Sequence, residues 1–235
     1  MFVISLLIAL APGLFLIWYF NHRDKYEPEP KRKILKIFAI GALMVIPAAL
    51  AEILLMNLVG RITEGLLNII VISFFVIAPV EEILKFLAVR RWIYRSLEFN
   101  EVMDGIVYTV AASLGFATLE NVLYVIPLGL STGVARAFLT VPGHACFGAL
   151  MGYYIGRAKF NHARESELMT RGIIYAILCH GLYDFLLLTR SSFSSFVILL
   201  LVALFLWIRT QLRKAEIDSR LRTAQNEGID IGKQP

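Results

Sequence analysis

Residues 66–89 read LLNIIVISFFVIAPVEEILKFLAV, and this stretch decides the fold class. As an α-helix it is about 36 Å long at 1.5 Å per residue, enough to cross a hydrocarbon core about 30 Å thick. No charged residue occurs before Glu81, and then Glu81, Glu82 and Lys85 follow within the same apolar run. Residues 66–89 are therefore predicted to form a membrane span that carries ionisable groups.

Six further apolar runs of comparable length lie on either side of this one. The chain is 58% hydrophobic with a mean hydropathy of +0.70, and a soluble domain of this size would have to expose several such runs to water. We therefore predict an all-α transmembrane bundle of about seven spans. The other six predicted spans are residues 2–20, 34–59, 103–127, 134–156, 169–189 and 192–208.

Basic residues are distributed unevenly between the predicted loops. They cluster after spans one, three, five and seven, whereas Arg61, Arg136 and Arg190 stand singly in the intervening loops. By the positive-inside rule this alternation predicts an outside N-terminus and a cytosolic C-terminus. The net charge of +5 is thus a topology signal and does not indicate nucleic-acid binding.

The two ends of the chain are read separately from the bundle. The first apolar run has its basic residues behind it, which predicts an uncleaved span and not a removable signal peptide. Residues 1–208 are predicted to form the transmembrane domain and residues 209–235 a basic cytosolic tail. Within that tail residues 209–222 are predicted to be helical, and the remainder, residues 223–235, to be frayed.

Ionisable side chains inside spans are costly and mark either function or an internal polar pair. Glu81 and Lys85 are four residues apart and share a helix face, while Glu82 is directed about 100° away. His180 and Asp184 also share a face, so Asp184 is predicted to orient the His180 ring. The acidic, basic and histidine residues that lie more than two residues from the end of a predicted span are Glu52, Glu81, Glu82, Lys85, Glu120, His144, His180 and Asp184.

The depth of these groups in the bilayer is the second indication. Counted from the span ends, Glu81, His144 and His180 lie within about 5 Å of the midplane. Glu120 and Asp184 lie about 6–9 Å toward the outer face on the same count. Four helices therefore place polar groups at overlapping depth, which predicts one shared site.

Backbone features near these groups are interpreted as structural. Pro79 loosens the helix just before Glu81, and Gly148, Gly152 and Gly156 form a row of small residues that allows close helix packing. Glu52 has no ionisable neighbour on its own span and is interpreted as a structural residue.

Two carboxylates beside two imidazoles favour hydrolysis of a peptide or ester bond by an activated water. One glutamate would take the proton of water, and a histidine would polarise the carbonyl or stabilise its oxyanion. The same groups are metal ligands, so a divalent metal such as zinc, held by Glu81, His144 and His180, stays open. The sequence contains no His-Glu-x-x-His motif, and no cofactor is established.

Two other classes of function use buried ionisable groups. A proton- or ion-coupled transporter relays charge along carboxylate and histidine chains, although the inverted repeats typical of many transporters are not evident here. In a non-catalytic scaffold the same groups would only pair with one another.

The chain resembles the PrsW family of intramembrane proteases, in order from the first span to the sixth. The combination is specific, although each motif alone is weak. The matching segments are Ala11-Pro12-Gly13, Glu81-Glu82-Ile83-Leu84-Lys85, Asp104-Gly105-Ile106-Val107-Tyr108, Phe116-Ala117-Thr118-Leu119-Glu120-Asn121, the His144 helix with Met151-Gly152-Tyr153-Tyr154, and His180-Gly181-Leu182-Tyr183-Asp184-Phe185.

This resemblance implies a multi-pass protease of the bacterial cell membrane. PrsW proteins make the first, extracytoplasmic cut in a membrane-bound anti-sigma factor, a step of regulated intramembrane proteolysis in stress responses. The implied partners are the lipid bilayer and a membrane-anchored protein substrate, with no nucleic acid. The implied reaction is peptide hydrolysis of the glutamic or the metallo type.

The family belongs to a wider superfamily with the type II CAAX prenyl endopeptidases. Carried over from that superfamily, Glu81 is implied as the base, Glu82 as its partner, and His180 with Asp184 as the oxyanion side. The superfamily has Phe-x-x-x-His where this chain has Phe116-x-x-x-Glu120. The resemblance therefore leaves open whether Glu120 or His144 completes the site.

Overall fold

The computed structural model describes residues 2–226, which form ten α-helices and no strand. A π-helical segment, Ile72–Ile77, and two 3-10 turns, His162–Arg164 and Ser192–Ser195, lie between α-helices. The helices are α1 (Phe2–Arg23), α2 (Lys31–Leu43), α3 (Val45–Val59), α4 (Gly65–Val71), α5 (Ala78–Trp92), α6 (Val102–Leu128), α7 (Leu130–Phe138), α8 (Thr140–Lys159), α9 (Glu165–Leu188) and α10 (Phe196–Asn226).

Seven helical stretches of the described chain are long and apolar enough to cross a membrane, as predicted. Several extend beyond the predicted ends because the helices continue into polar residues. The protein is thus a multi-pass membrane protein with an all-α bundle. The seven stretches are Val3–Arg23, Lys31–Val59, Gly65–Trp92, Val102–Leu128, Leu130–Lys159, His162–Leu188 and Ser192–Gln225.

Three of these spans are interrupted, and each interruption is followed within one turn by a proline. Proline has no N–H to donate and its ring clashes with the carbonyl four residues earlier. The α2–α3 break precedes Pro47, the π-helical segment precedes Pro79, and the α7–α8 break precedes Pro142. The predicted loosening before Glu81 is therefore observed as a wider helical turn.

Helix α6 lies at the centre of the bundle and packs against α1, α2 and α8. In its most apolar 18-residue window 89% of residues are buried, whereas the corresponding value for α1 is 17%. The outer helices expose apolar side chains, which is the arrangement expected of a bundle solvated by lipid. The central position of α6 gives its polar residues access to several neighbouring helices.

Close packing between α6 and α8 depends on the predicted row of small residues. A Cβ atom at Gly152 would overlap the carbonyl oxygen of Gly105, and a Cβ at Gly156 would overlap that of Val102. Gly13 of α1 is similarly placed against the side chain of Thr118 on α6. These contacts set how closely the helices that carry the polar residues approach one another.

Residues 189–195 join the last two spans, and the helices on either side, α9 and α10, contact each other. Arg190 adopts a φ of 47°, a left-handed conformation uncommon for a residue other than glycine. Helix α10 continues without interruption past residue 208, so residues 209–222 are helical as predicted. The prediction that the remainder frays is wrong for residues 223–226, because α10 continues through them, and residues 227–235 lie outside those described.

A group of buried carboxylates lies where the α1–α2 connection meets the start of α6. Asp24, Glu29, Glu101 and Asp104 are each 5% exposed or less. Asp104 accepts hydrogen bonds from the backbone N–H of Asn100 and of Glu101, both at 2.7 Å. Burial, with the nearby carboxylates of Glu101 and Asp104, raises the pKa of Asp24 to about 8.

Candidate active site

Glu81, Glu82, His144 and His180 meet inside the bundle, brought together from α5, α8 and α9. One carboxylate oxygen of each glutamate and one ring nitrogen of each histidine all lie within 4.8 Å of one another. All four residues are buried. The convergence predicted from overlapping depth is therefore present for these four side chains.

Lys85 lies at the centre of this group and is fully buried. Its ammonium nitrogen is 2.9 Å from Glu81 Oε2, 2.9 Å from Glu82 Oε1 and 2.9 Å from His144 Nδ1. The expectation that Glu82 points away from the Glu81–Lys85 pair is corrected, because the long lysine side chain reaches partners at both i−4 and i−3. One ammonium thus neutralises part of the charge of two buried carboxylates.

The contacts of His144 define its tautomer. An ammonium is a hydrogen-bond donor without an acceptor, so Nδ1 of His144 accepts from Lys85. The Nε2 atom, which carries the ring proton, lies 3.2 Å from Glu120 Oε2 and donates to it. Glu120 is therefore placed behind His144 and outside the group of four, while His144 occupies the position within it.

His180 is oriented by a partner other than the predicted one. Its Nδ1 atom lies 2.8 Å from Glu82 Oε1 on α5, and this contact is a hydrogen bond. Its Nε2 atom lies 3.4 Å from Asp184 Oδ2, and that oxygen has no hydrogen-bond partner in the described chain. Glu82 thus fixes the ring, and Asp184 acts on it only by its nearby charge.

Aromatic rings close two sides of the group. The Phe147 ring stacks on the His180 ring with centroids 4.8 Å apart, and the Lys85 ammonium lies 4.4 Å from the Phe116 ring centroid. A cation over an aromatic face is attracted by the ring quadrupole. Phe116 and Glu120 are four residues apart on α6, so both residues of the Phe-x-x-x-Glu pattern face this site.

The acidic and basic side chains of the site differ in how far they are exposed. The side chains of Glu82 and Lys85 are 0% exposed and that of Glu81 is 6% exposed, whereas Glu120 and Asp184 are 15% and 16% exposed. Glu120 and Asp184 are therefore the more exposed acidic side chains around the group. Glu81 is the more accessible member of the glutamate pair.

One charged residue near this group was not assigned to it from sequence. Arg136 of α7 lies 2.8 Å from Glu120 Oε2, and its Nε donates to Asn121 Oδ1 at 3.1 Å. The available signal was an arginine alone in a loop poor in basic residues. Glu52 of α3 has one buried carboxylate oxygen without a hydrogen-bond partner in the described chain, and its interpretation as a structural residue stays a prediction.

The donor set suits a divalent transition metal, since carboxylate oxygen and imidazole nitrogen are the usual ligands of zinc. Glu81, Glu82, His144 and His180 supply four such atoms within one small volume. Lys85 contacts three of these four side chains, so a metal in this volume would have to compete with the Lys85 ammonium for them.

Comparison with known proteins identifies the class to which this site belongs. The family described as PrsW family intramembrane metalloprotease matches residues 29–209. The chain is 37% identical over 197 residues to Protease PrsW of Geobacillus kaustophilus, covering 83% of this chain and 85% of that protein. It is 35% identical over 200 residues to Protease PrsW of Bacillus subtilis, covering 85% and 88%. No solved structure matches.

The molecule is an intramembrane protease, a helical bundle with a buried group of carboxylates and imidazoles. More particularly, the chain belongs to the PrsW family, as the family match and the relatives together show. This membership does not favour the transporter alternative.

Proposed function

We propose that the protein hydrolyses a peptide bond of a membrane-anchored protein at the group formed by Glu81, Glu82, His144 and His180. The single observation that carries this proposal is the meeting of these four buried side chains within 4.8 Å. Two carboxylates and two imidazoles supply a base for water and a donor for a developing oxyanion.

Glu81 is proposed as the base. Its Oε2 atom accepts from Lys85, whereas its Oε1 atom has no hydrogen bond within the described chain and is left for water. Glu81 would take a proton from that water as the water oxygen attacks the carbonyl carbon. The same carboxyl would then give the proton to the leaving amine as the C–N bond breaks.

His180 is proposed as the group that stabilises the oxyanion. Because its Nδ1–H donates to Glu82, the ring has a second N–H to offer at Nε2 only as an imidazolium. A ring flanked by the carboxylates of Glu82 and Asp184 is a suitable place for that positive charge. Asp184 is thus proposed to support the charge on His180, and Glu82 to orient the ring.

His144 and Glu120 are proposed to support this chemistry from the other side of Lys85. A divalent metal held by Glu81, His144 and His180 would, when bound, polarise the carbonyl and activate water. With a metal bound, Glu81 and His180 would act as its ligands in place of the base and imidazolium roles proposed above.

The substrate is proposed to be a membrane-bound anti-sigma factor, cut at the first site of regulated intramembrane proteolysis. The resemblance to PrsW proteins supports this substrate class. The greater exposure of Glu120 and Asp184 supports entry of water and substrate from the outer half of the membrane, given the proposed outside N-terminus.

The test is a comparison of membrane-protein fragments in cells that carry the wild-type protein or Glu81→Gln. Fragments of one or a few single-span proteins are expected with the wild type and absent with Glu81→Gln. The matched control is Glu64→Gln, an exposed residue at the other end of the same span. Cleavage of a purified candidate substrate by Glu81→Gln at the wild-type rate would falsify the proposal.

A further inference from the structure

The centre of the candidate active site already contains a cation. The Lys85 ammonium lies 2.9 Å from an oxygen of Glu81, an oxygen of Glu82 and Nδ1 of His144. An ammonium group has three N–H bonds, and these three contacts use all of them. The lysine is therefore fully satisfied by side chains that are also potential metal ligands.

The Nδ1 atom of His144 cannot serve Lys85 and a metal together. A neutral imidazole nitrogen that accepts a hydrogen bond has one lone pair, and at Nδ1 of His144 that lone pair is directed to Lys85. Its Nε2 atom is engaged with Glu120 at 3.2 Å. A divalent ion would also be placed beside a buried positive charge, with little water to screen the repulsion.

We propose that Lys85 is the resident cation of this site, and that a divalent transition metal and the Lys85 ammonium occupy it mutually exclusively. This deepens the proposed function, because it concerns the cation of the same site. Lys85 is then a positioning residue: it holds both carboxylates and fixes the His144 tautomer that donates to Glu120.

The proposal predicts that removing the lysine charge increases metal affinity, the opposite of what a supporting residue of a metal site would do. The experiment is a competition titration of Zn²⁺ between a chromophoric chelator and the purified full-length protein in detergent. The proteins compared are wild type, Lys85→Met, Lys85→Arg and Lys36→Met, an exposed lysine of α2.

Lys85→Met is expected to bind one zinc ion at least about tenfold more tightly than wild type, which is within the usual range of coupling between binding events. Lys85→Arg and Lys36→Met are expected to bind as weakly as wild type. Adding His180→Ala to Lys85→Met is expected to remove the gain, which assigns the ion to this site. Equal or weaker zinc binding by Lys85→Met overturns the proposal.

A second measurement covers the outcome in which Lys85→Met does not fold alone, since it leaves two buried carboxylates without a cation. In that outcome zinc in the growth medium is expected to restore folded protein for Lys85→Met and to leave the yield of wild type unchanged. One zinc ion that stays bound to purified wild type through dialysis against a chelator overturns the proposal. None of these readouts depends on peptide cleavage, so failure of the proposed function is seen separately with Glu81→Gln.

Discussion

The Nδ1 atom of His180 lies 2.8 Å from Glu82 on another helix, whereas its Nε2 atom lies 3.4 Å from Asp184 on its own helix. The contact across helices is the hydrogen bond, and the contact along the helix is longer and not hydrogen-bonded. We therefore propose that Glu82, the second glutamate of the pair, orients His180. The same Oε1 atom also accepts a hydrogen bond from Lys85.

Replacing Glu82 is expected to harm catalysis more than replacing Asp184. Glu82→Gln removes the charge that Lys85 and His180 share and is expected to lower kcat about 100-fold or more, comparable to loss of one oxyanion donor. Asp184→Asn removes only a nearby charge and is expected to cost about tenfold or less. Initial rates on a reporter membrane substrate measure both variants. An Asp184→Asn enzyme as impaired as Glu82→Gln would contradict the assignment of Glu82 as the orienting residue.

Arg136 is expected to stabilise the protein through Glu120. The pair lies at 2.8 Å with side chains 13% and 15% exposed, and breaking a buried ion pair leaves one uncompensated charge. Arg136→Gln is expected to lower the thermal unfolding midpoint by several degrees. Adding Glu120→Gln is expected to restore part of the loss, since the unpaired carboxylate is then also removed.

The control for this pair is Arg61→Gln, an exposed arginine outside any ion pair of the described chain. It is expected to leave the midpoint unchanged. If the double variant is destabilised by the sum of the two single effects, Arg136 and Glu120 do not act as a pair.

Stability is expected to fall as the pH rises through the neutral range, because of the buried carboxylates near the α1–α2 connection. Burial raises the pKa of Asp24 from 3.8 to about 8 and the pKa of Glu29 from 4.5 to about 7. Between the lower and upper values the folded protein retains protons that the unfolded chain releases, so the free energy of unfolding decreases with pH.

Unfolding midpoints of the detergent-solubilised protein between about pH 5 and pH 8 measure this slope. Asp24→Asn is expected to reduce the slope, since an amide at this position can still accept the hydrogen bond from the Glu29 N–H and carries no titrating proton. Asp218→Asn, at an exposed position of α10, is the matched control. An unchanged slope in Asp24→Asn would exclude Asp24 as its source.

The spans, and the meeting of polar groups at a common level, could be predicted from sequence because both depend on counting along one helix. Apolar length defines a crossing, and 1.5 Å per residue converts position to depth. The proline interruptions are readable in the same way, as the segment before Pro79 illustrates. The assignment of the chain to seven spans needed no knowledge of which helix lies beside which.

Partners across helices could not be predicted, because spacing gives an angle within one helix and not the neighbour it faces. His180 was assigned to Asp184 on its own helix, and its ring bonds Glu82 instead. Arg136 could not be placed beside Asn121, because the sequence does not show that α7 packs against α6. Whether His144 or Glu120 enters the central group likewise depended on how α6 and α8 pack.

The π-helical segment Ile72–Ile77 also determines where each half of the third span faces. A π turn holds about one residue more than an α turn, so it offsets the two halves by roughly 100° about the helix axis. Phe74 lies in the π-helical segment, and its ring lies against Gly181 of α9. Glu81 and Glu82 come after this segment and follow the orientation of α5. The helix before this segment and the helix after it are therefore rotated relative to each other about the span axis. The second of them, α5, directs Glu81 and Glu82 into the candidate active site.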